Sequence, residues 1–212
     1  MALHTATAAQ AALQGTRAVG ADLDLTLIDS RAATEHALRA VNDRCGEAID
    51  VGAFVARLGP SIHQELAQWV TPERIPRTVE VFRACFVEEG VDHLRPLPGA
   101  LDLVAAVDAQ RRRFVVITSR VPEVADAALA ACGIEVSAVV GGVTGAEKAP
   151  ALTGFQVGVY LGDHKLDMLA AQSADVPGIG VSTGSHTAAD LLQAGAAWVV
   201  GSLTEAAELV GQ

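Results

Sequence analysis

The chain of 212 residues is half hydrophobic and only 19% charged, with a formal net charge of −10. This length allows one core, or a core with a smaller insert, and the composition excludes a disordered chain. The acidic balance repels phosphate backbones and anionic lipid, so neither nucleic acid nor a membrane surface is an expected partner.

No run reaches the roughly 18 consecutive apolar residues of a membrane helix. Residues 1–6 lack the basic region and apolar stretch of a secretory signal. The three cysteines, Cys45, Cys85 and Cys132, are odd in number and widely spaced. They suit neither a disulfide framework nor a zinc site, and free thiols in a reducing cytoplasm are expected. Residues 1–16, rich in Ala, Thr and Gln, read as an N-terminal extension, a frayed tail or a short surface helix.

Ala18-Val19-Gly20-Ala21 is a short apolar run that ends in Asp22 and Asp24. Such runs suit a buried strand of a parallel sheet, whose ligands bind beyond the carboxyl ends of the strands. Ser30 is placed to cap a helix over 31–44, with Ala33, Ala37, Leu38 and Val41 on one face and Gly46 as the stop. From there to Arg95 the pattern predicts helices alone, over 51–58, 61–70 and 72–89. Pro60 and Pro72 fall near first-turn positions, where the missing N–H costs nothing. This all-helical block interrupts an otherwise alternating chain and is expected to be a small separate lobe over 30–96. Pro96-Leu97-Pro98-Gly99 then reads as a stiff hinge.

Beyond Ala100 strands and helices alternate. A helix over 100–111 precedes a strand over 114–117 that ends in Thr118-Ser119-Arg120, and a helix over 122–132 stops at Gly133. A weaker strand over 137–140 leads to a loop and short helix carrying Lys148. A strand over 157–161 ends in Gly162-Asp163, a helix follows over 166–173, and strands over 178–181 and 198–200 complete the pattern. The fold class expected is α/β, a Rossmann-like parallel sheet flanked by helices, built from 17–29 and 97–212. The small helical cap would be inserted between them. In such a sheet Asp22, Asp24, Thr118, Lys148, Asp163 and Asp167 would share one edge.

Asp22-Leu23-Asp24-Leu25-Thr26-Leu27, followed by Asp29-Ser30, resembles the first motif of the haloacid dehalogenase superfamily. The order of the later polar strand ends resembles its remaining motifs, in the phosphoglycolate-phosphatase-like branch. Leu25 departs from the pattern, standing where the family usually has Gly, a position that favours unusual backbone angles. The resemblance implies Asp22 as a carboxylate nucleophile forming an acyl-phosphate, with Asp24 as general acid and then base. Dehalogenases of the superfamily typically lack the second Asp, so Asp24 favours a leaving oxygen over a leaving halide. Thr118 and Ser119 would bind phosphate oxygens, and Lys148 would neutralise nucleophile and phosphate. Mg²⁺ is the implied cofactor, held by the side chains of Asp22 and Asp163 and the backbone carbonyl of Asp24. Asp167 would hold a metal-bound water or orient Lys148.

The segment from Lys148 to the next strand is short for the family, and a shortened or irregular helix is expected there. The stretch from Arg57 to Gln64 resembles a loop that related phosphatases lower over substrate, which makes Arg57 and His63 either substrate contacts or surface residues. His164 and Lys165 are expected to be solvated, His186 to lie on the surface and Trp198 in the core. The activity implied is phosphatase action on a small phosphorylated metabolite, in a cytoplasmic monomer or homodimer. A sugar-phosphate mutase sharing the aspartyl pair and a catalytically idle binding module are the alternatives.

Overall fold

The structure, a computed structural model, describes residues 16–211; the expectation for residues 1–16 lies, but for its last residue, outside them. Six strands form one parallel sheet: β1 (Ala18–Ala21), β4 (Arg113–Ile117), β5 (Ala138–Val140), β6 (Val157–Gly162), β7 (Gly178–Val181) and β8 (Trp198–Val200), in spatial order β5-β4-β1-β6-β7-β8. β1 is therefore central, with β4 on one side and β6 on the other. Its last residue, Ala21, pairs with Val116 of β4 and Leu161 of β6. The residues that follow these three strands emerge together at the edge where a parallel sheet binds its ligands. All four residues of β1 are buried, as expected for a strand covered on both faces.

Between β1 and β4 the chain leaves the sheet. β2 (Ile28–Asp29) leads into the helices α1 (Arg31–Cys45), α2 (Val51–Val55), α3 (Ile62–Leu66) and α4 (Ile75–Glu88), a 3₁₀ turn over Gly90–His93, and β3 (Arg95–Pro96). β2 and β3 pair antiparallel, Ile28 with Pro96 and Asp29 with Arg95, so the way into the helical block is tied to the way out. The sequence pattern missed this pair because two residues are too few to show a period. α4 buries Thr78, Val79, Val81, Phe82, Cys85 and Phe86 along one face, the spacing of an amphipathic helix. The apolar cluster that contains Val19 and Ala21 of the sheet runs on without a break through Phe54, Phe82 and Phe86 of the block.

Several predicted ends shift. α2 stops at Val55 and α3 at Leu66, and both continue as turns, Arg57 N–H donating to the Phe54 carbonyl and Trp69 N–H to that of Leu66. Pro72 lies ahead of α4 rather than in its first turn, and Pro76 takes that position. Ser30 precedes α1 but its side chain makes no capping hydrogen bond; Arg31 N–H donates instead to the Asp29 carboxylate at 3.1 Å. Gly46 ends α1 with φ 66° and donates its N–H to the Asn42 carbonyl, a left-handed turn that glycine takes without strain.

The remaining helices alternate with the strands: α5 (Ala100–Ala109), α6 (Pro122–Ala131), α7 (Ala149–Gly154), α8 (Lys165–Ser173), α9 (Ala188–Gln193) and α10 (Leu203–Val210). The short crossover before β6 is a 3₁₀ turn over Gly145–Lys148 followed by the six-residue α7, the irregular helix its length predicts. Cys45, Cys85 and Cys132 are all free thiols. Among the described residues no helix is long and apolar enough to cross a membrane.

Candidate active site

Asp22 follows β1 directly, and its N–H donates to the Leu161 carbonyl at 2.9 Å, which seats the carboxylate between β4 and β6. The turn after it is tight. Leu25 has φ 56°, a left-handed conformation that costs a non-glycine residue about 1–2 kcal/mol. Its side chain is 2% exposed, so apolar burial offsets that strain.

Lys148, 3% exposed, sits at the centre of the charged cluster. Its Nζ lies 2.7 Å from Asp22 Oδ1, 2.7 Å from Asp167 Oδ1 and 2.9 Å from the Tyr160 hydroxyl. Tyr160 in turn donates to the Ile117 carbonyl at 2.8 Å, so the hydroxyl fixes the ammonium against the end of β4. Asp163 leaves the end of β6 and accepts a hydrogen bond from Thr26 Oγ1 at 2.9 Å, while its own N–H donates back to that hydroxyl at 3.1 Å. Asp167 Oδ2 accepts from His164 N–H at 3.2 Å, in the capping box that starts α8.

Asp22, Asp163 and Asp167 bring oxygens within 4.8 Å of one another. Burial pushes the Asp22 carboxyl up to about 7, against the pull of Lys148. Burial also raises Asp163 well above the usual carboxylate range, with Asp167 and Asp22 adding to it. Burial disfavours the Lys148 charge, but Asp167 and Asp22 outweigh it and hold the amine well above its usual value. Three carboxylates thus face one lysine, and that lysine touches only two of them. A hard divalent cation fits this oxygen donor set and the charge it leaves unmet.

Asp24 stands apart from the cluster. Both of its carboxylate oxygens are held by Arg120, with Nε at 2.6 Å and Nη2 at 2.7 Å. The same guanidinium lies 3.9 Å from the Phe86 ring centroid on α4, so Arg120 links the end of β1 to the helical block. Thr118, fully buried at the end of β4, accepts from Arg120 N–H through its hydroxyl at 3.3 Å. Ser119 lines the cavity that opens beside Asp22 and Asp24.

Neither Arg57 nor His63 lines that cavity. Arg57 pairs with Glu65 at 2.7 Å and His63 is exposed. Thr34, Arg83 and Arg120 line it instead. Sequence spacing gave no sign of Thr34 or Arg83, which reach the site only through the packing of α1 and α4. Arg120 had a signal, its place two residues after Thr118. His164 is buried rather than solvated, its ring against His186 with centroids 4.2 Å apart, and burial lowers it to about 4. Lys165 is exposed.

Acids and a buried lysine gathered at the carboxyl edge of a parallel sheet define an α/β protein with a metal-ready polar site. The chain belongs to the haloacid dehalogenase-like hydrolase family, whose model matches residues 21–181. Among solved structures it is similar to a haloacid dehalogenase-like hydrolase from Streptococcus pneumoniae, with 21% identity, a TM-score of 0.79, and 91% of this chain and 97% of that one covered. A predicted phosphoglycolate phosphatase from Haemophilus somnus superposes with 19% identity and a TM-score of 0.76, covering 92% and 97%. CbbY from Rhodobacter sphaeroides, solved in complex with phosphate, does so with 18% identity and a TM-score of 0.74, covering 90% and 96%. No curated protein sequence matches. At these identities the superpositions establish a shared fold.

Proposed function

We propose that the protein is a Mg²⁺-dependent phosphatase that hydrolyses a small phosphate monoester through an aspartyl-phosphate at Asp22. The observation that carries this reading is the engagement of Asp22 by Lys148 through Oδ1 alone. Among the described residues no hydrogen-bond donor reaches Oδ2, which leaves that oxygen to attack phosphorus. Names of similar structures, a predicted phosphoglycolate phosphatase and a phosphate complex, support the same substrate class.

In this reading Asp22 forms a bond to phosphorus as the ester oxygen leaves, and Asp24 gives that oxygen its proton. Asp24 then takes a proton from the water that hydrolyses the aspartyl-phosphate. Both Asp24 oxygens are held by Arg120, so at least one of these contacts opens before the proton is delivered. Thr118 and the Ser119 N–H bind phosphate oxygens in place. Lys148 holds Asp22 in position and offsets charge on the phosphate. Asp22, Asp163 and the main-chain carbonyl of Asp24 would hold the cation, with Asp167 orienting Lys148 or a bound water. When bound, the cation supplies neutralising charge to a phosphate that faces several carboxylates.

Residues 30–96 would act as the cap that carries specificity over a core of 17–29 and 97–212. The free cysteines fit a reducing cytoplasm. The test is phosphate release from p-nitrophenyl phosphate with Mg²⁺ or with a chelator, for the wild type and Asp22→Asn. Release that needs Mg²⁺ and vanishes in the variant is expected. Equal trace rates in both proteins would leave an idle member of the fold.

A further inference from the structure

The cavity beside Asp22 and Asp24 has a volume of about 60 Å³, room for on the order of four water molecules. Its walls are chiefly apolar, with Phe54, Leu58, Ile62 and Phe82 from the helical block and Val121 and Val124 from the loop and helix after β4. Thr34 of α1 lines it, is 1% exposed, and has no hydrogen-bond partner for its Oγ1 among the described residues. A helical threonine can return that hydrogen bond to the carbonyl one turn back; here it does not. Arg83 of α4 also lines the cavity, half-buried, and makes no ion pair among the described residues. Arg120, the other cation among the described residues of the wall, is engaged by Asp24. Among the described residues the carboxylates of the wall are Asp24, held through both oxygens, and Asp22, held through Oδ1. Apart from Asp22 Oδ2, which the reading above gives to phosphorus, the wall therefore offers the unengaged donors of Thr34 and Arg83 and no unengaged carboxylate oxygen.

We infer that this chamber takes a short phosphate ester whose leaving part is apolar except for one acceptor group, a carbonyl met by Thr34 or a carboxylate met by Thr34 and Arg83. The inference rests on the phosphatase reading above and narrows its substrate. A polyhydroxylated sugar is a poor occupant, because its several hydroxyls would be buried against aliphatic and aromatic walls where the Thr34 and Ser119 hydroxyls are too few to pair them all. A leaving part with no oxygen at all is also disfavoured, since it leaves the Thr34 hydroxyl unpaired. Thr34 is thus a specificity-determining residue that recognises the leaving group and takes no part in the chemistry.

The test compares kcat/KM, with Mg²⁺, for the phosphate monoesters of propanol, hydroxyacetone, 3-hydroxypropanoate, glycerol and glucose, alongside p-nitrophenyl phosphate. The hydroxyacetone or the 3-hydroxypropanoate ester is expected to exceed the propyl and glycerol esters by about tenfold, the worth of one well-made hydrogen bond. The glucose ester should be the poorest. Thr34→Val, which keeps the shape and removes the hydroxyl, should reduce the preference over the propyl ester about tenfold, and Thr34→Ser should retain it. Arg83→Met separates the two acceptors, since it should penalise the carboxylate ester and spare the carbonyl one. Preference for the glycerol or glucose ester would overturn the inference while leaving the phosphatase reading intact. So would an unchanged preference in a folded Thr34→Val protein. No release from any ester, the aryl phosphate included, would overturn both.

Discussion

Replacing Lys148 with Met removes the single cation buried among the acids while roughly keeping its volume. Lys148 lies 2.7 Å from both Asp22 and Asp167. At an effective dielectric constant of 20, each contact is worth about 6 kcal/mol of gross attraction. Desolvation of the three charges cancels most of that sum, and removing one partner of a buried pair has a net cost of about 3–5 kcal/mol. The variant should therefore unfold in urea with a stability lower by about that amount at pH 7.5 in the presence of a chelator. The deficit depends on pH with a definite sign. Without the lysine the folded pKa of Asp22 rises beyond its wild-type value of about 7, while its unfolded value stays near 3.9. The folded variant favours the protonated acid still more, so the penalty is level below about pH 7 and grows as pH rises through about 7, where the wild-type carboxyl ionises and the variant's does not. Mg²⁺ should restore part of the loss by supplying the missing positive charge. A variant within 1 kcal/mol of the wild type at pH 7.5 would refute the view that Lys148 holds these acids together.

A Cβ added at Gly184 would lie 1.8 Å from Asp163 Oδ2, so Gly184→Ala should push that carboxylate out of the cluster. A tenfold or greater weakening of Mg²⁺ activation is expected, and an unchanged Mg²⁺ titration would show that the loop after β7 does not position Asp163. His164 is lowered to about 4 by burial, with His186 adding to the effect. Its unfolded value is about 6.5, so the unfolded state binds the extra proton across that window. Its contribution is full above about pH 6.5 and is lost as pH falls toward 4, by about 3 kcal/mol at most. Asp22 works in the opposite sense between about 4 and 7, so the informative quantity is the stability of the wild type minus that of His164→Asn. That difference should change by more than 1 kcal/mol between pH 7 and pH 4.5; a flat profile would count against the buried neutral imidazole.

The sequence alone determined the strands and their polar ends. Ala18–Ala21, with Asp22 after it, and Val157–Gly162, with Asp163 after it, are apolar runs long enough to show burial and abrupt enough to show where it stops. Leu25 was legible as a position of unusual backbone angle, and its φ of 56° has a local cause. What local pattern cannot carry is a contact between segments far apart in the chain. The pairing of β2 with β3, the seat of Tyr160 beneath Lys148, the Arg120 grip on Asp24 and the exposure of Thr34 to the cavity join residues 12 to 96 positions apart, or depend on how two helices pack. Such contacts follow from how strands are ordered in the sheet and how the helices lie on it. Many side chains set that arrangement jointly, and no single stretch encodes it.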